Sequence, residues 1–341
     1  MLWQLTRRRR CSTAAIAFAT LVLLVSGCSG DDDGVDDADD AGRASAGSGG
    51  STAGSSATGG SSATGGSSAS SAKAFGSFTI EYKEELAGTP AYATVTGQLF
   101  DAATAAVTSK LDTEIGDCSL LVPDFPACGA CDGVCVADGD CQPAPVPIDA
   151  GDVVVKGIPG GDVTLNRDRR MFFYQAASAL AFPPCEEGAD VTLTGSGFDA
   201  TTQCVAPLVL ITQAPVVVKT GSAVQLEWTP PSDPSHSRIK IKLDISHHGG
   251  KKGEIACDVP DTGTFDLPEP LVSKLVALGV AAQPTIGLRR EASVQASGKP
   301  NVRLAIVSPL ERAVDTGFAS CAEGEACPEE TTCDSTTKIC R

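Results

Sequence analysis

The sequence predicts an all-β protein: an antiparallel β-sandwich with a disulfide-rich insert, one short helix and a small cysteine-rich knot at the C-terminus. Three observations carry this. Between residues 75 and 320, short runs alternate apolar and polar side chains, the period-two signature of half-buried strands; Phe78, Ile80 and Tyr82 form one such set and Ala93, Val95, Gly97 and Leu99 another. Helical patterning is confined to a weak stretch at 102–111 and to Pro270–Leu278, which runs between Pro268 and Gly279. Aromatic residues are only 5% of the chain while it holds 36 Gly, 21 Pro and 14 Cys. A core must therefore come mainly from Val, Ile, Leu and Ala, with cross-links to supplement it.

The N-terminus decides where the rest must work. Arg7 to Arg10 precede an uncharged apolar run from Ala14 to Val25, which ends in small residues before Cys28. A run of this length is too short for a bilayer, which needs roughly 20 residues, and suits the apolar segment of a cleaved export signal. Val25-Ser26-Gly27-Cys28 resembles a bacterial lipobox. That resemblance implies cleavage after residue 27, diacylglycerylation of Cys28, and a mature chain held by acyl chains, two of which suffice for stable anchoring. An ordinary cleaved signal is the plainer alternative. A twin-arginine export signal fails, because Arg10 and Cys11 stand where large apolar residues are required.

Residues 28–74 follow as a tether. Seven aspartates fall between residues 29 and 40, and residues 41 to 74 are almost wholly Ser, Gly, Ala and Thr, with the near-repeat Gly54-Ser55-Ser56-Ala57-Thr58-Gly59 and Gly60-Ser61-Ser62-Ala63-Thr64-Gly65. Nothing here offsets chain entropy, so the segment is expected to be disordered, with an r.m.s. span of roughly 35–40 Å. The aspartates lack the alternate spacing, the sixth-position glycine and the twelfth-position glutamate of an EF-type calcium loop. Without residues 1–27 the chain carries 22 basic against 42 acidic residues, a net charge of −20. Nucleic acid is therefore not an expected partner.

Two β regions come next, 75–215 with a cysteine-rich insert at 118–141, and 216–320. Further strand-like runs lie at 152–158, 190–195, 207–212, 215–219, 223–228, 238–246, 253–258, 285–290 and 302–308, most of them separated by turn residues. Ala223-Val224-Gln225-Leu226-Glu227-Trp228-Thr229-Pro230-Pro231 resembles the tryptophan strand of fibronectin-III and related immunoglobulin-like sandwiches. Gly188 to Phe198 is similar to their opening strand. The resemblance implies either one sandwich or two packed immunoglobulin-like modules. Ile239, Ile241, Leu243 and Ile245 make an apolar face whose reverse carries Arg238, Lys240 and Lys242. Such a basic face reads as a solvated or edge face, with polyanion binding as the sharper alternative.

Cys11 leaves with the signal and Cys28 is the acylation candidate, which leaves twelve cysteines: Cys118, Cys128, Cys131, Cys135, Cys141, Cys185, Cys204, Cys257, Cys321, Cys327, Cys333 and Cys340. An even number in an exported chain reads as disulfides. Zinc is disfavoured because only Cys128 and Cys131 have the Cys-x2-Cys spacing. Cys128-Gly129-Ala130-Cys131 has the form of a thioredoxin-type redox pair, but no strand precedes it and no amphipathic helix follows. The last four cysteines, at intervals of five, five and six residues, make a separate knot at 321–341 with few apolar residues. Three connectivities are open to it, and first-to-third with second-to-fourth is preferred because it interlocks the loops. The other eight would form four bridges, at least one tying the insert to a sheet strand.

No reaction emerges from the remaining residues. Asp261-Thr262-Gly263 and Asp315-Thr316-Gly317 have the form of the paired catalytic loops of pepsin-like proteases, in which two aspartates share one proton. Only 54 residues separate them, and Pro260 replaces the apolar residue required before the first. Turn residues between strands are the simpler reading. His236, His247 and His248 are the only histidines, and the adjacent pair would point to opposite faces of a strand. No Ser-His-Asp set is assignable, so no catalytic, cofactor or metal residues are expected.

The terminal Cys…Cys-Pro…Thr-Cys-Asp…Cys string, the cysteine-rich insert, the Ser/Gly/Ala tether and the lipobox together resemble the secreted, cysteine-rich lipoproteins of myxobacteria and their relatives. The resemblance implies a protein exported and lipid-anchored at the cell envelope. The outer membrane is favoured, since Ser29 gives no inner-membrane retention signal by the enteric rule. The expected role is non-enzymatic: binding, adhesion or envelope organisation, with the membrane reached through Cys28 and an envelope polysaccharide or protein as partner. A secreted hydrolase of divergent aspartic-protease type and a metal-binding lipoprotein are the alternatives.

Overall fold

The computed structural model describes residues 75–340 except 87, 103–108, 125–127, 129–130, 136–140, 171, 247–251, 282, 299–300, 320, 322–325, 330 and 337. The signal, Cys28, the tether, His247 and His248 lie outside the described residues. In chain order the strands are β1 (Phe75–Lys83), β2 (Tyr92–Phe100), β3 (Ser109–Ile115), β4 (Cys118–Pro123), β5 (Val134–Cys135), β6 (Cys141–Gln142), β7 (Val154–Lys156), β8 (Val163–Arg167), β9 (Phe173–Ala176) and β10 (Asp190–Gly195). They continue as β11 (Phe198–Gln203), β12 (Val216–Val217), β13 (Val224–Glu227), β14 (Arg238–Asp244), β15 (Glu254–Pro260) and β16 (Thr264–Leu267). Helix α1 (Glu269–Ala277) then precedes β17 (Thr285–Gln295), β18 (Ser297–Gly298) and β19 (Asn301–Asp315).

Most strands join one large sheet in the order β18-β11-β10-β7-β8-β9-β2-β1-β19-β17-β14-β15-β4-β3, while β13 pairs with β16 in a second layer. The protein is all-β and sandwich-like, as predicted, but the sheet is mixed. β1 and β12 each pair in parallel with β19, whereas the other pairs are antiparallel. A parallel pair needs a long crossover, and nearly the whole described chain lies between β1 and β19.

Two hydrophobic cores form on one face of this sheet. In the first, Phe78, Ile80 and Tyr82 of β1 and Ala93, Val95 and Leu99 of β2 meet Val191, Leu193 and Phe198. The sheet curls here until β11 lies against β17 and β19. In the second, Ile239, Ile241 and Leu243 of β14, with Ile286 and Leu288 of β17, pack on Leu226, Trp228 and α1. Burying each such side chain stabilises by roughly 1.5–3 kcal/mol. Helix α1 buries Leu271, Val272 and Leu275, has Glu269 in its first turn and Lys274 in its last, and is followed by Gly279 at φ +96°. Proline at the start, complementary charge at both ends and a left-handed glycine after the stop are what its sequence offered.

The structure does not divide at residue 215. β3 and β4, from the first predicted region, pair into the half of the sheet that covers the second core, and the long strands β17 and β19 serve both cores. Residues 109–111, the end of the weakly helical stretch, are strand, because β3 closes a hairpin with β4 through Gly116, which is left-handed at φ +58°. The run at 207–212 makes only an isolated bridge, Leu210 to Trp228. β3, β8, β9, β11 and β16 carry too few alternating apolar residues to announce themselves.

Candidate functional site

All twelve described cysteines are bonded in six disulfides. Cys118–Cys257 joins register partners on β4 and β15, and Cys185–Cys204 closes the loop before β10 onto the end of β11. In the insert, Cys128–Cys135 and Cys131–Cys141 interlock, so Cys128 and Cys131 are not bonded to each other. The bridge from Cys118 does reach a strand, but Cys118 is itself on one, and the cluster at 128–141 is closed on itself. The C-terminal knot pairs first with third, Cys321–Cys333, and second with fourth, Cys327–Cys340. The Sγ atoms of Cys321, Cys327 and Cys333 lie within 4.8 Å of one another. They are oxidised, and zinc requires thiolates.

The two aspartates of the Asp-Thr-Gly triplets occupy different worlds. Asp315 is exposed at the end of β19, where it accepts the Gly317 N–H at 2.8 Å. Asp261 is wholly buried. Its Oδ1 accepts the Trp228 indole N–H at 2.7 Å, and its Oδ2 accepts Ser237 Oγ and Arg290 Nε, each at 2.6 Å. Arg290 is 1% exposed. Its other donors reach Asp261 Oδ1 and the backbone carbonyls of Ala206, Pro207 and Thr229. All five guanidinium N–H groups are thereby satisfied. An aspartate held this way cannot share a proton with an exposed partner.

Arg290 marks a polar seam between the two cores. It faces Ser308 across β17 and β19, and Ser308 Oγ accepts the Leu208 N–H at 2.9 Å. Tyr82 donates to the Val205 carbonyl at 2.7 Å, and burial pushes its phenol well above the usual range. The 205–208 segment thus threads the seam with its polar atoms answered. Inner-face alternation Ile286, Leu288, Arg290, Ala292 was the available sign: an arginine at a core position needs a buried carboxylate.

The opposite face of the same strands is solvent-facing and charged over the second core. Arg238, Lys240 and Lys242 of β14 line it, as the alternation predicts, with Arg289 and Glu291 of β17 beside them. Asp258 of β15 pairs with both Arg238 and Lys240. Glu291, only 2% exposed at its side chain, pairs with both Arg303 and Arg289, and the Arg289 contact at 2.8 Å is an ion pair without a hydrogen bond. Lys242 pairs with Glu254 at 2.8 Å. Desolvation works upward on the Asp258 carboxyl, but hydrogen bonds from Lys240 and Arg238, together with their charges, hold it below its ordinary value. Lys242 is raised, first by its bond to Glu254.

Between these side chains runs a groove of about 550 Å³, lined among others by Lys240, Lys242, Arg289, Asp117, Asp258 and Pro309, with Ala256 and Gly287 in its floor. That volume is within the range of small-molecule sites, ~300–1,000 Å³. A second depression of about 220 Å³ adjoins it at Lys240 and is lined by His236, Ser237, Arg238, Glu291 and Ser293. His236 itself pairs with Asp233 at 2.8 Å. A cavity nearer Glu187 and Ser232 holds about 30 Å³, room for water alone. Sequence reading found the basic stripe of β14 and missed Gly287, Arg289, Glu291 and Asp258. A glycine inside the apolar alternation at 285–290 was the one available signal.

No protein-family model matches the chain, and no curated protein matches it significantly. Among the described residues no helix is long and apolar enough to cross a membrane.

Proposed function

We propose that this is an exported lipoprotein, anchored to the bacterial envelope through acyl chains on Cys28, whose β domain is a non-enzymatic binding or adhesion module. The outer membrane is its proposed location. The observation that carries the binding role is the surface groove: a long depression on a rigid, disulfide-crossed sheet, walled by charged side chains that are already paired with one another. Support for a non-hydrolytic role comes from Asp261, whose carboxylate oxygens are engaged by Arg290, Trp228 and Ser237. Support for the anchor is the Val25-Ser26-Gly27-Cys28 sequence. Metabolic labelling with an alkynyl fatty acid tests the anchor. Label is expected on the wild-type chain and lost in Cys28→Ala; label retained in the variant overturns the assignment.

A further inference from the structure

The most informative residue in the groove is one without a side chain. Glycine inside a strand weakens it, and commonly marks a bulge, a bend, or a place where something comes close to the backbone. Gly97 and Gly195, also on strands, have visible reasons. A Cβ on Gly97 would stand 2.1 Å from the Phe78 ring directly opposite, and one on Gly195 would stand 2.2 Å from the Phe198 ring. Gly287 has no such reason. Its register with Lys242 and with Glu311 is unbroken, so there is no bulge. Its φ is not in the left-handed region. A Cβ there would meet nothing nearer than the Leu310 and Lys242 carbonyl oxygens, each at 4.0 Å.

The space over Gly287 is therefore kept open, and the side chains around it say for what. Lys242, Lys240 and Arg238 follow one another at alternate positions of β14, about 7 Å apart, and the two depressions lie in line along them. An elongated ligand is implied. Asp258 and Glu291 are each shared by two cations, so each trio retains one positive charge, while Lys242 is balanced by Glu254, in a chain whose net charge is −16. Asp117 on one wall opposes any second acid packed too closely. Extended, hydroxyl-rich and carboxylated at intervals is the chemistry that answers such a strip.

We propose that the groove over Gly287 binds a strand of carboxylated polysaccharide, its carboxylates meeting Lys242, Lys240, Arg238 and Arg289 and its backbone lying on Gly287 and Ala256. This rests on the binding-module reading above and names its ligand class. The test uses the full-length chain, solubilised in detergent, on immobilised polygalacturonate, neutral dextran and poly-glutamate. Wild-type protein should prefer polygalacturonate, with affinity falling about tenfold or more as salt rises from about 50 to about 500 mM. Gly287→Phe fills the groove and should lower affinity about tenfold or more without lowering Tm. Gly287→Gln is the second variant should the first fold poorly. Equal binding to dextran, stronger binding to poly-glutamate, or undiminished binding by both Gly287 variants overturns the proposal while leaving a binding module in place. Failure on all three polymers overturns the groove as a site and, with it, the binding role.

Discussion

The two halves of the large sheet share strands β17 and β19 and face their cores the same way, yet they are built differently. The first core is organised by rings: Phe78 lies 5.7 Å from Tyr174 and 5.9 Å from Phe198, and glycines opposite make room for them. The second is aliphatic around Trp228, with a buried ion pair at its border. Their outer faces differ too. Over the first core the central strands present mostly Thr79, Thr94, Thr96 and Gln98, while over the second they present the ladder of Lys, Arg, Asp and Glu. The charged ladder and the open position at Gly287 thus both belong to the half whose core is mainly aliphatic.

The largest effect should come at the border. Replacing Arg290 with Met leaves Asp261 buried without its cation and three carbonyls without donors, and should cost about 3–5 kcal/mol. Denaturant unfolding of Arg290→Met, Asp261→Asn and the double variant measures it. The double variant is expected to be less destabilised than the two single losses added together. A cost near zero for Arg290→Met would mean that the two cores do not depend on the seam.

Next in size is a pair of glycine substitutions with opposite signs. Gly97→Val forces a methyl group into the Phe78 ring and should destabilise by about 1–3 kcal/mol. Gly287→Val removes glycine's entropic penalty from an open strand position and should stabilise by about 0.5–1 kcal/mol. Thermal melts of the two variants side by side decide it. A destabilised Gly287→Val would show that something in the fold, and not a ligand, holds that space.

The smallest effect is acid sensitivity, and both halves contribute. In the first, the Gly151 N–H and then Arg167 hold the Asp149 carboxyl below its ordinary 3.8. In the second, Asp258 is lowered in the same direction by Lys240 and Arg238. A carboxyl lowered in the folded state gives stability that is present above 3.8 and lost as pH falls through the folded value. Both side chains are nearly half exposed, so the change should be modest. Asp149→Asn and Asp258→Asn should each flatten the decline of Tm below pH 4; an unchanged decline would assign it to other carboxylates.

What the sequence revealed and what it hid follow from one rule. Ile239, Ile241, Leu243 and the charged residues between them could be read because β14 is paired on both sides and buried on one face, so each position has one fate. Helix α1 was legible from its bounding proline and glycine. By contrast β3, an edge strand of sequence Ser-Lys-Leu-Asp-Thr-Glu-Ile, buries little and carries no periodic signal. The groove was hidden for another reason. Gly287, Lys242, Ala256 and Ser119 come from four separate segments, and only pairing puts them in one row. Asp261 was read as a turn residue and Arg290 was not singled out, since burial of a charge is decided by its partner.

The parallel pairing of β1 with β19 has a mechanical meaning. Tension transmitted through the chain before Phe75 enters at the end of β1 that lies beside Asn301. A load on the groove would act further along β19, near Pro309. The two strands would then be drawn past each other along their length, with β1 also gripped by β2 on its far side. Their hydrogen bonds are stressed together, in shear, and not one after another as in a peeled edge. Under such a pull the time the protein holds is set by its unfolding rate, and β1, bonded along its length on both sides, is the strand that resists it.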